Sequence, residues 1–410
     1  MQTVNIGLFG FGVVGEGIYH VLQQKPQLGV RIQRIVIKHP EKNRNAPSVL
    51  FSTDANTILQ DADIALVVEL IDDADAAFDI ALHALRSGKS VISANKKMIA
   101  AHLPILVETA RAHEVSFLYE AAVCGSVPVI RNLEEYFDND LITHITGIVN
   151  GSTNFILTHM HKKSIPYSTA LQQAQENGYA ESNPALDVEG WDAANKIRIA
   201  CVHAFGAYVD AKCILVKGIT AISDFDIQYA KEKGYVIKLI ATCSVDADGV
   251  LTEISVLPTF IPRYHPLRLT NDAFNGILIG GQLTDEQFLY GKGAGRYPTA
   301  SAVLSDISAY TYQYRYAYKK GIQKVHEVRD VKATCYIRFQ PQSAPDFSQI
   351  GEVHEYYRTA KAHVVIVTGS LQAIVSACAG NHISLIRFPE PVAAQWKTSE
   401  SLQEEAVYVS

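Results

Sequence analysis

The chain has 410 residues, of which 48% are hydrophobic and 19% are charged, and its net charge is −6. This composition is ordinary for a globular protein with sizeable cores, and the length predicts two or three domains. The acidic balance argues against a general nucleic-acid binder. The sequence shows no apolar stretch long enough to span a bilayer, no basic leader and no CxxC pair among its six cysteines. We therefore expect a cytoplasmic protein with reduced thiols and no zinc.

The N-terminal segment has the pattern of a dinucleotide site. A buried apolar run at residues 4–9 is followed by GFGVVG and then by an amphipathic helix. The first glycine allows a tight turn, the second lets a pyrophosphate approach the backbone, and the third lets helix and strand pack closely. The helix N-terminus offers N–H groups to the phosphates. The cofactor contacts predicted in this loop are Gly10, Phe11, Gly12, Val13, Val14 and Gly15.

The end of the second predicted strand normally selects the nicotinamide cofactor. An acidic residue there binds the ribose 2′-OH of NAD, whereas basic residues suit the 2′-phosphate of NADP. Lys38, His39, Lys42 and Arg44 cluster at this point, and Glu41 is the one nearby acid. We predict NADP as the cofactor, with Lys38 in contact. The alternative is that these are solvated loop charges and that the protein uses NAD as well.

Strands and helices alternate to about residue 120, which predicts a doubly wound parallel sheet. Ser93 and Lys96 follow one of these strands, at the carboxyl end where open α/β sheets place ligands. We therefore expect Lys96 to point toward the cofactor crevice and Lys97 to face solvent.

A later strand ends at Glu120, and the small-residue loop AAVCGSVPVI follows it. A carboxylate with inward-turned carbonyl groups suits a hard monovalent or divalent cation, although a buried, hydrogen-bonded glutamate is the simpler alternative. Cys124 has no positioned histidine partner in the pattern, so we expect an inert thiol.

Residues 178–200 are crowded with carboxylates and end in a helical pattern. Asp192 and Lys196 are four residues apart, which places them on one face of a helix. The Asn183-Pro184 pair interrupts any earlier helix, so we expect Glu181 and Asp187 to lie on an irregular segment that leads to this helix. Acids on a loop that faces an acid–lysine pair can hold an amine and pass a proton, and a surface salt bridge is the alternative. The candidate carboxylates are Glu181, Asp187, Glu189 and Asp192.

The remaining segments complete a predicted α/β architecture of three parts. A Rossmann nucleotide-binding domain covers 1–130, with 296–320 returning to it, and an α+β substrate domain is inserted at 131–295. A small β-α-β-α-β domain at 328–395 carries no recognisable catalytic constellation, and the tail from 396 is expected to be loose. Within the inserted part, Ser152 or Thr153 is predicted to cap a helix. A second glycine-rich helix start that includes Gly295 can close over the cofactor, or it is a plain turn.

With these segments in order, the chain resembles the homoserine dehydrogenases from about residue 4 to 320. The matching motifs are GFGVVG, SANKK, EAAVCGSVPVI, GIVNGSTNFIL, the stretch from Gly178 to Lys196, and GKGAGRYPTASAVLSDI. The resemblance implies NAD(P)H-dependent reduction of L-aspartate 4-semialdehyde to L-homoserine, in threonine, methionine and isoleucine biosynthesis. It also implies a homodimer or homotetramer in which the inserted domain pairs the subunits.

The resemblance assigns roles to individual residues. Lys196 is the implied proton donor, and Lys96 is the second lysine implicated in catalysis or substrate contact. The residues implied in substrate binding are Glu181, Asp187 and Asp192. The residues implied in cofactor binding beyond the N-terminal loop are Ser93, Lys96, Gly178 and Gly295. A monovalent-cation site for sodium or potassium is implied at Glu120 and the carbonyls of Val123, Gly125 and Val127.

Two departures from the family pattern affect these expectations. An additional acid often precedes Asp187 in the family, and this chain has Leu186 there. The C-terminal domain occupies the place of an ACT-type amino-acid-sensing domain but shows three clear strands, one fewer than that fold requires. We interpret it as a degenerate ACT-like domain, and threonine inhibition is a hypothesis. The competing functions are a dehydrogenase of a related amino-acid semialdehyde and a binding protein that has lost catalysis.

Overall fold

The computed structural model describes residues 3–345, 347, 350–359, 362–380 and 382–389. The tail from 396, which the sequence predicts to be loose, lies outside these residues. The first layer is a parallel sheet of six strands in the order β3-β2-β1-β4-β5-β6. Its strands are β1 Val4–Phe9, β2 Val30–Val36, β3 Phe51–Ser52, β4 Leu66–Glu69, β5 Ser90–Ser93 and β6 Phe117–Leu118.

Four helices connect these strands, and the order confirms the predicted doubly wound sheet. They are α1 Val13–Gln24, α2 Asn56–Leu59, α3 Ala74–Arg86 and α4 Lys96–Ala112. The turn before α1 shows why glycine is needed there. Gly10 has φ +92°, and a Cβ at Gly15 would lie 2.6 Å from the carbonyl oxygen of Gly10. A side chain at either position would therefore push the turn away from the helix start.

The second layer is a mixed sheet of ten strands, which the chain enters after the short helix α5 Val129–Arg131. Its first part contains β7 Ile142–Ile148, β9 Leu215–Val216, β10 Val236–Val245, β11 Leu251–Ile261, β12 Phe274–Gly281 and β13 Asp285–Lys292. The accompanying helices are α6 Gly151–Lys163, α7 Tyr167–Glu176, α8 Ala185–Val188, α9 Trp191–Phe205 and α10 Asp224–Glu232. A separate two-stranded sheet joins β8 Ala207–Val209 to β14 Gln323–Val325.

The cap of α6 differs from the prediction. Asn150, rather than Ser152 or Thr153, is the N-cap, and its side-chain oxygen accepts the Thr153 N–H at 2.9 Å. The two hydroxyl residues lie inside the first turn because the helix begins at Gly151, two or three residues earlier than either predicted cap would allow. The Asn150 side chain is thereby fixed at the carboxyl end of β7.

Helix α11, Arg296–Thr311, packs along α1. Arg296 pairs with Glu16 at 2.8 Å, and a Cβ at Gly17 would lie 2.9 Å from Cγ of Arg296. The chain thus comes back to the first layer after the second sheet, in the region where the sequence predicts a return.

Helix α9 is anchored at its C-terminal end by a buried polar chain. The His203 ring lies 2.6 Å from a carboxylate oxygen of Glu134 and 2.8 Å from the Tyr119 hydroxyl. The Tyr119 hydroxyl also lies 2.6 Å from that of Tyr318. Because Tyr119 directly follows β6, these contacts fix α9 against the edge of the first sheet.

The C-terminal segment corrects the predicted element order. It contains β15 Lys332–Phe339, β16 Gly351–Arg358, β17 His363–Ser370, α12 Leu371–Ala377 and β18 Ser384–Arg387. The predicted first helix is wrong in the stretch that forms β16, so four strands are present where the sequence indicates three. The reason is tertiary pairing: β16 forms an antiparallel ladder with β17, with a bulge after Val353, and this outweighs the local pattern.

The ten-stranded sheet runs through into this segment. Strand β18 pairs with β11 at Thr259 and Arg387, and the order continues as β18-β15-β17-β16. Asp226 of α10, fully buried, accepts hydrogen bonds from Arg338 at 2.8 and 2.9 Å and from the Tyr336 hydroxyl at 2.8 Å. The segment therefore continues the sheet of the preceding part. The predicted boundaries at 130, 295 and 328 stay predictions.

Candidate active site

The site is centred on Asp192, whose carboxylate lies between two ammonium groups. Lys96 Nζ is 3.0 Å from one oxygen, and Lys196 Nζ is 2.6 Å from the other. Lys196 and Asp192 are one helical turn apart on α9, as the spacing predicts. Lys96 is the first residue of α4 in the Rossmann part. The cluster therefore joins the two sheets, and the alternative of a solvated surface pair is wrong because the Asp192 side chain is only 7% exposed.

Charge balance in this cluster favours the ionised acid. Burial alone raises the pKa of Asp192, but the two ammonium groups and the hydrogen bonds outweigh burial, so the pKa lies below its usual range. The negative charge of Asp192 in turn raises the pKa of Lys96, against the opposing effect of burial. Asp192 is therefore a carboxylate and Lys96 an ammonium at neutral pH.

Asn150 is a member of the site that the sequence reasoning missed. Its side-chain amide donates to Asp187 at 2.7 Å and to Asp192 at 2.8 Å. The Ser152 hydroxyl lies 2.9 Å from Asp187, and Lys196 Nζ donates to the carbonyl of Val149 at 2.7 Å. The signal available was the asparagine at the end of a strand and the start of a helix, in GIVNGSTNFIL. Two of the three N–H groups of Lys196 thus have partners, which leaves one for a ligand.

The local backbone explains how the acids reach this point. Pro184 caps the short helix α8, where its missing N–H is not needed, so Asp187 lies in a helical turn rather than in the irregular segment we expected. Gly190 then adopts φ +94°, and α9 starts immediately after it. This sharp change of direction places Asp187 and Asp192 on the same side, where Asn150 bridges them.

A cavity of about 400 Å³ opens beside the cluster, between the carboxyl ends of β4 and β5 and the acidic segment. The predicted substrate residues Glu181, Asp187 and Asp192 line it together with Lys96. Lys196 is not among the residues that line this cavity and its side chain is 11% exposed, whereas the side chain of Lys96 is 40% exposed. The other lining residues are Val14, Leu70, Ile71, Asp72, Ala94, Asn95, Lys97, Asn183, Leu186, Asn195 and Thr299.

Of the predicted cofactor residues, Val14 and Lys96 line this cavity, and the others are not among its lining residues. Val14 lines it from the start of α1, next to the glycine-rich turn. Gly178 follows α7 with φ +71°, and Gly295 precedes α11 with φ +119°. Lys38 is exposed on the loop after β2. Ser93 is fully buried, and its hydroxyl donates to Glu69 at 2.5 Å rather than pointing into the cavity.

The predicted cation loop is a compact structure next to a second cavity, of about 590 Å³. Glu120 is 2% exposed, and its oxygens accept the N–H groups of Ile130 at 3.0 Å and Arg131 at 2.8 Å. Burial raises the pKa of Glu120 to about 7, although these hydrogen bonds oppose it. Burial also raises the pKa of the Cys124 thiol to about 12, consistent with an inert cysteine.

Comparison with known proteins identifies the family to which this architecture belongs. A six-stranded Rossmann sheet with a glycine-rich turn, and an acid–lysine site at its carboxyl edge, defines a nicotinamide-dependent oxidoreductase. Residues 128–308 match the family model of homoserine dehydrogenase, and residues 10–120 match that of the homoserine dehydrogenase NAD binding domain. The homoserine dehydrogenase of Bacillus subtilis is 39% identical over 318 residues, which cover 75% of this chain and 73% of the relative.

Further relatives agree. The homoserine dehydrogenase of Synechocystis is 39% identical over 315 residues, which cover 75% of this chain and 73% of the relative. The crystal structure of a homoserine dehydrogenase from Thiobacillus denitrificans has a TM-score of 0.81 at 28% identity, over 95% of this chain and 99% of that one. The chain belongs to the homoserine dehydrogenase family. It is an NAD(P)-dependent oxidoreductase that reduces L-aspartate 4-semialdehyde to L-homoserine in amino-acid biosynthesis.

These findings confirm the resemblance seen in the sequence, and they disfavour both competing functions. Within the described residues, we find no helix that is long and apolar enough to cross a membrane.

Proposed function

We propose that the Asp192-centred lysine pair is the catalytic apparatus, with Lys196 as the proton donor and Lys96 as the electrostatic partner of the substrate. The observation that carries this proposal is the carboxylate of Asp192 bound by both ammonium groups at once. Addition of hydride to the aldehyde carbon develops negative charge on the oxygen, which a nearby ammonium stabilises and protonates. Asp192 raises the pKa of Lys96, so Lys96 stays an ammonium and suits an electrostatic contact with the substrate. The assignment of Lys196 as donor follows the family resemblance.

The acids of the cavity fit an amino-acid substrate. The α-ammonium group of the semialdehyde needs a carboxylate partner, and Glu181 and Asp187 both line the cavity. Asn150 and Ser152 hold Asp187 in place. Leu186, at 57% exposure, stands where many family members carry a further acid, so this chain relies on fewer carboxylates to hold the substrate.

The glycine-rich turn and the surrounding strand ends fit a nicotinamide dinucleotide. Close contact of Gly10 with Gly15 leaves the N-terminus of α1 open to a pyrophosphate. We assign the nicotinamide half to the cavity beside Lys96, with Gly178 and Gly295 as the contacts that the resemblance implies and with Ser93 supporting the end of β5 from behind; this cofactor supplies the hydride when bound. A preference for NADP is supported by the basic loop after β2, where Glu41, the nearby acid, pairs with His39 at 3.2 Å.

The catalytic assignment predicts distinct kinetics for two lysine variants. In homoserine oxidation, Lys196→Met should lower kcat by roughly 10²- to 10⁴-fold, because the transition state loses its proton-transfer partner. NADP affinity, measured by fluorescence titration, should stay within about twofold because Lys196 contacts Asp192 and Val149. Lys212→Met is the control, since that side chain is 72% exposed. If Lys196→Met stays fast and Lys96→Met is slow, the donor is Lys96 instead.

The cofactor assignment predicts a selective effect of the basic loop. Lys38→Ala and Arg44→Ala should each raise the KM for NADP about tenfold, because a charge-assisted contact to the 2′-phosphate is lost. The KM for NAD should change little. Lys25→Ala, at the opposite end of α1 from the glycine-rich turn, is the control. Equal changes with both cofactors would show that the loop does not read the 2′-phosphate.

We also propose a sodium or potassium site at Glu120 and the carbonyls of Val123, Gly125 and Val127. The supporting observation is a buried carboxyl group next to a cavity of about 590 Å³. One carboxylate with several carbonyl groups gives a single negative charge and hard oxygen ligands, which suit a monovalent cation. A bound cation would hold Glu120 ionised at neutral pH and so brace the loop.

The cation proposal predicts a pH-dependent salt effect on stability. The raised pKa of Glu120 gives a contribution to stability that is present below about pH 4.5 and is lost as the pH rises through about 7. Potassium or sodium should restore about 1–3 kcal/mol at pH 8 relative to tetramethylammonium, and little at pH 5. Melting temperatures measure this effect, and Glu120→Gln should abolish it. The control is Glu135→Gln, which removes an exposed acid of the same cavity and should keep the salt effect. If Glu120→Gln also keeps the salt effect, the proposed cation site is excluded.

We further propose a homodimer or homotetramer and an amino-acid effector at the C-terminal segment. The support for association is the exposure of Tyr264, Leu269 and Leu283, three large apolar side chains of the inserted part that are 70–79% exposed. The strand order β18-β15-β17-β16, with its fourth strand, supports the ACT-like interpretation. Light scattering should give at least twice the chain mass of 45.0 kDa. Added threonine should alter activity or melting temperature, and the effector hypothesis fails if it alters neither.

A further inference from the structure

Glu69 is a buried carboxyl group that the catalytic proposal does not use. It is the last residue of β4, it is fully buried, and it lies at the carboxyl edge of the sheet. One carboxylate oxygen accepts the Ile71 N–H at 2.6 Å, and the other accepts the Ser93 hydroxyl at 2.5 Å. The acid thus connects the loop after β4 to the end of β5.

These two contacts are part of a closed ring of hydrogen bonds. The Ser93 oxygen accepts the N–H of Asn95 at 3.0 Å, and the Asn95 side-chain amide donates to the carbonyl of Ile71 at 3.0 Å. The ring therefore runs from Glu69 through Ile71, Asn95 and Ser93 and back to Glu69. The side-chain oxygen of Asn95 also accepts the Met98 N–H at 2.9 Å, which caps α4.

The ring lies directly behind the cavity. Ile71 and Asn95 both line it, and Lys96, the residue after Asn95, contacts Asp192 at 3.0 Å. A shift of either loop would move the Lys96 ammonium group relative to Asp192. Displacements of about 1 Å in a catalytic group can cost about 100-fold in rate.

We propose that Glu69 is a positioning residue, whose carboxylate locks the two loops that place Lys96 against Asp192. The inference rests on the proposed role of Lys96. Both oxygens of residue 69 act as acceptors in the ring, because the Ile71 N–H and the Ser93 hydroxyl both donate to it. A protonated acid or an amide must instead donate to the Ser93 oxygen, so the Ser93-to-Glu69 bond is lost and the buried Ser93 proton loses its acceptor.

The surroundings of Glu69 determine when it is a carboxylate. Burial, which is the largest effect, and the charge of Asp72 on the following loop together raise the pKa of Glu69 to about 7, against the two hydrogen bonds. Its neighbours in the sheet register are Phe9 on β1 and Ser93 on β5, which carry no charge. The lock is therefore complete above about pH 7 and weakens as the pH falls through that value.

The test compares Glu69→Gln with the wild type in homoserine oxidation between pH 5.5 and 9. At pH 8, kcat/KM should fall about 10- to 100-fold in the variant, because the ring is broken. The wild-type profile should show an acid-side decline near pH 7 that the variant lacks. Glu69→Asp, which keeps the charge, should recover part of the rate. Ser93→Ala, which removes a donor and leaves the acid, should lower the rate while keeping the acid-side decline.

The control for a purely structural effect is Asp226→Asn, another fully buried acid, whose partners Arg338 and Tyr336 lie in the C-terminal segment. It should lower the melting temperature and leave the pH profile unchanged. Wild-type kinetics in Glu69→Gln would overturn the inference. So would a slow, less stable Glu69→Gln that keeps the acid-side decline. Lys96→Met distinguishes failure of the proposed function from failure of this inference. An unaffected rate in Lys96→Met refutes the proposed role of Lys96. A slow Lys96→Met enzyme together with a normal Glu69→Gln enzyme refutes only the role of Glu69.

Discussion

One buried carboxylate organises this molecule. Asp192 belongs to the helix α9 of the second layer, yet one of its two cation partners, Lys96, comes from the first layer. A buried charge is tolerated only when it is paired and hydrogen-bonded, so the two layers must meet where the two lysines and Asn150 can reach it. The cavity that we propose for the reaction is the space left beside this meeting point. Under that proposal, stability and chemistry depend on the same contact.

Much of the fold could be predicted from local patterns. The glycine-rich turn, the alternating strands and helices and the four-residue spacing of Asp192 and Lys196 each reflect backbone geometry that a short stretch of sequence encodes. The β16 strand could not be predicted in this way, because its conformation depends on pairing with β17. The same is true of the contact between Lys96 and Asp192, which are 96 positions apart and meet only after both layers have folded.

The residues of the candidate site also divide into those that local patterns predict and those that depend on tertiary contacts. The carboxylates of the acidic segment and both lysines were visible as residue types in a pattern. Asn150 and Glu69 were not, because a helix cap and a strand end look alike whether or not they serve a site. Their place is defined by hydrogen bonds to partners 24 to 42 positions away or across a loop, such as Glu69 to Ser93 and Asn150 to Asp192. Such partners are determined by the topology of the folded chain, which a single sequence does not reveal.

The continuity of the second sheet has a consequence for the edge of β11. Strand β11 has eleven residues, and on the side away from β10 it pairs with β18 at Thr259 and with β9 at Ser255 and Val256. Without β18 and the strands that follow it, the backbone of β11 around Thr259 would lose that neighbour. Bare strand edges recruit strands from other molecules. The C-terminal segment therefore covers part of an edge that would otherwise invite such pairing, whether or not it binds an effector.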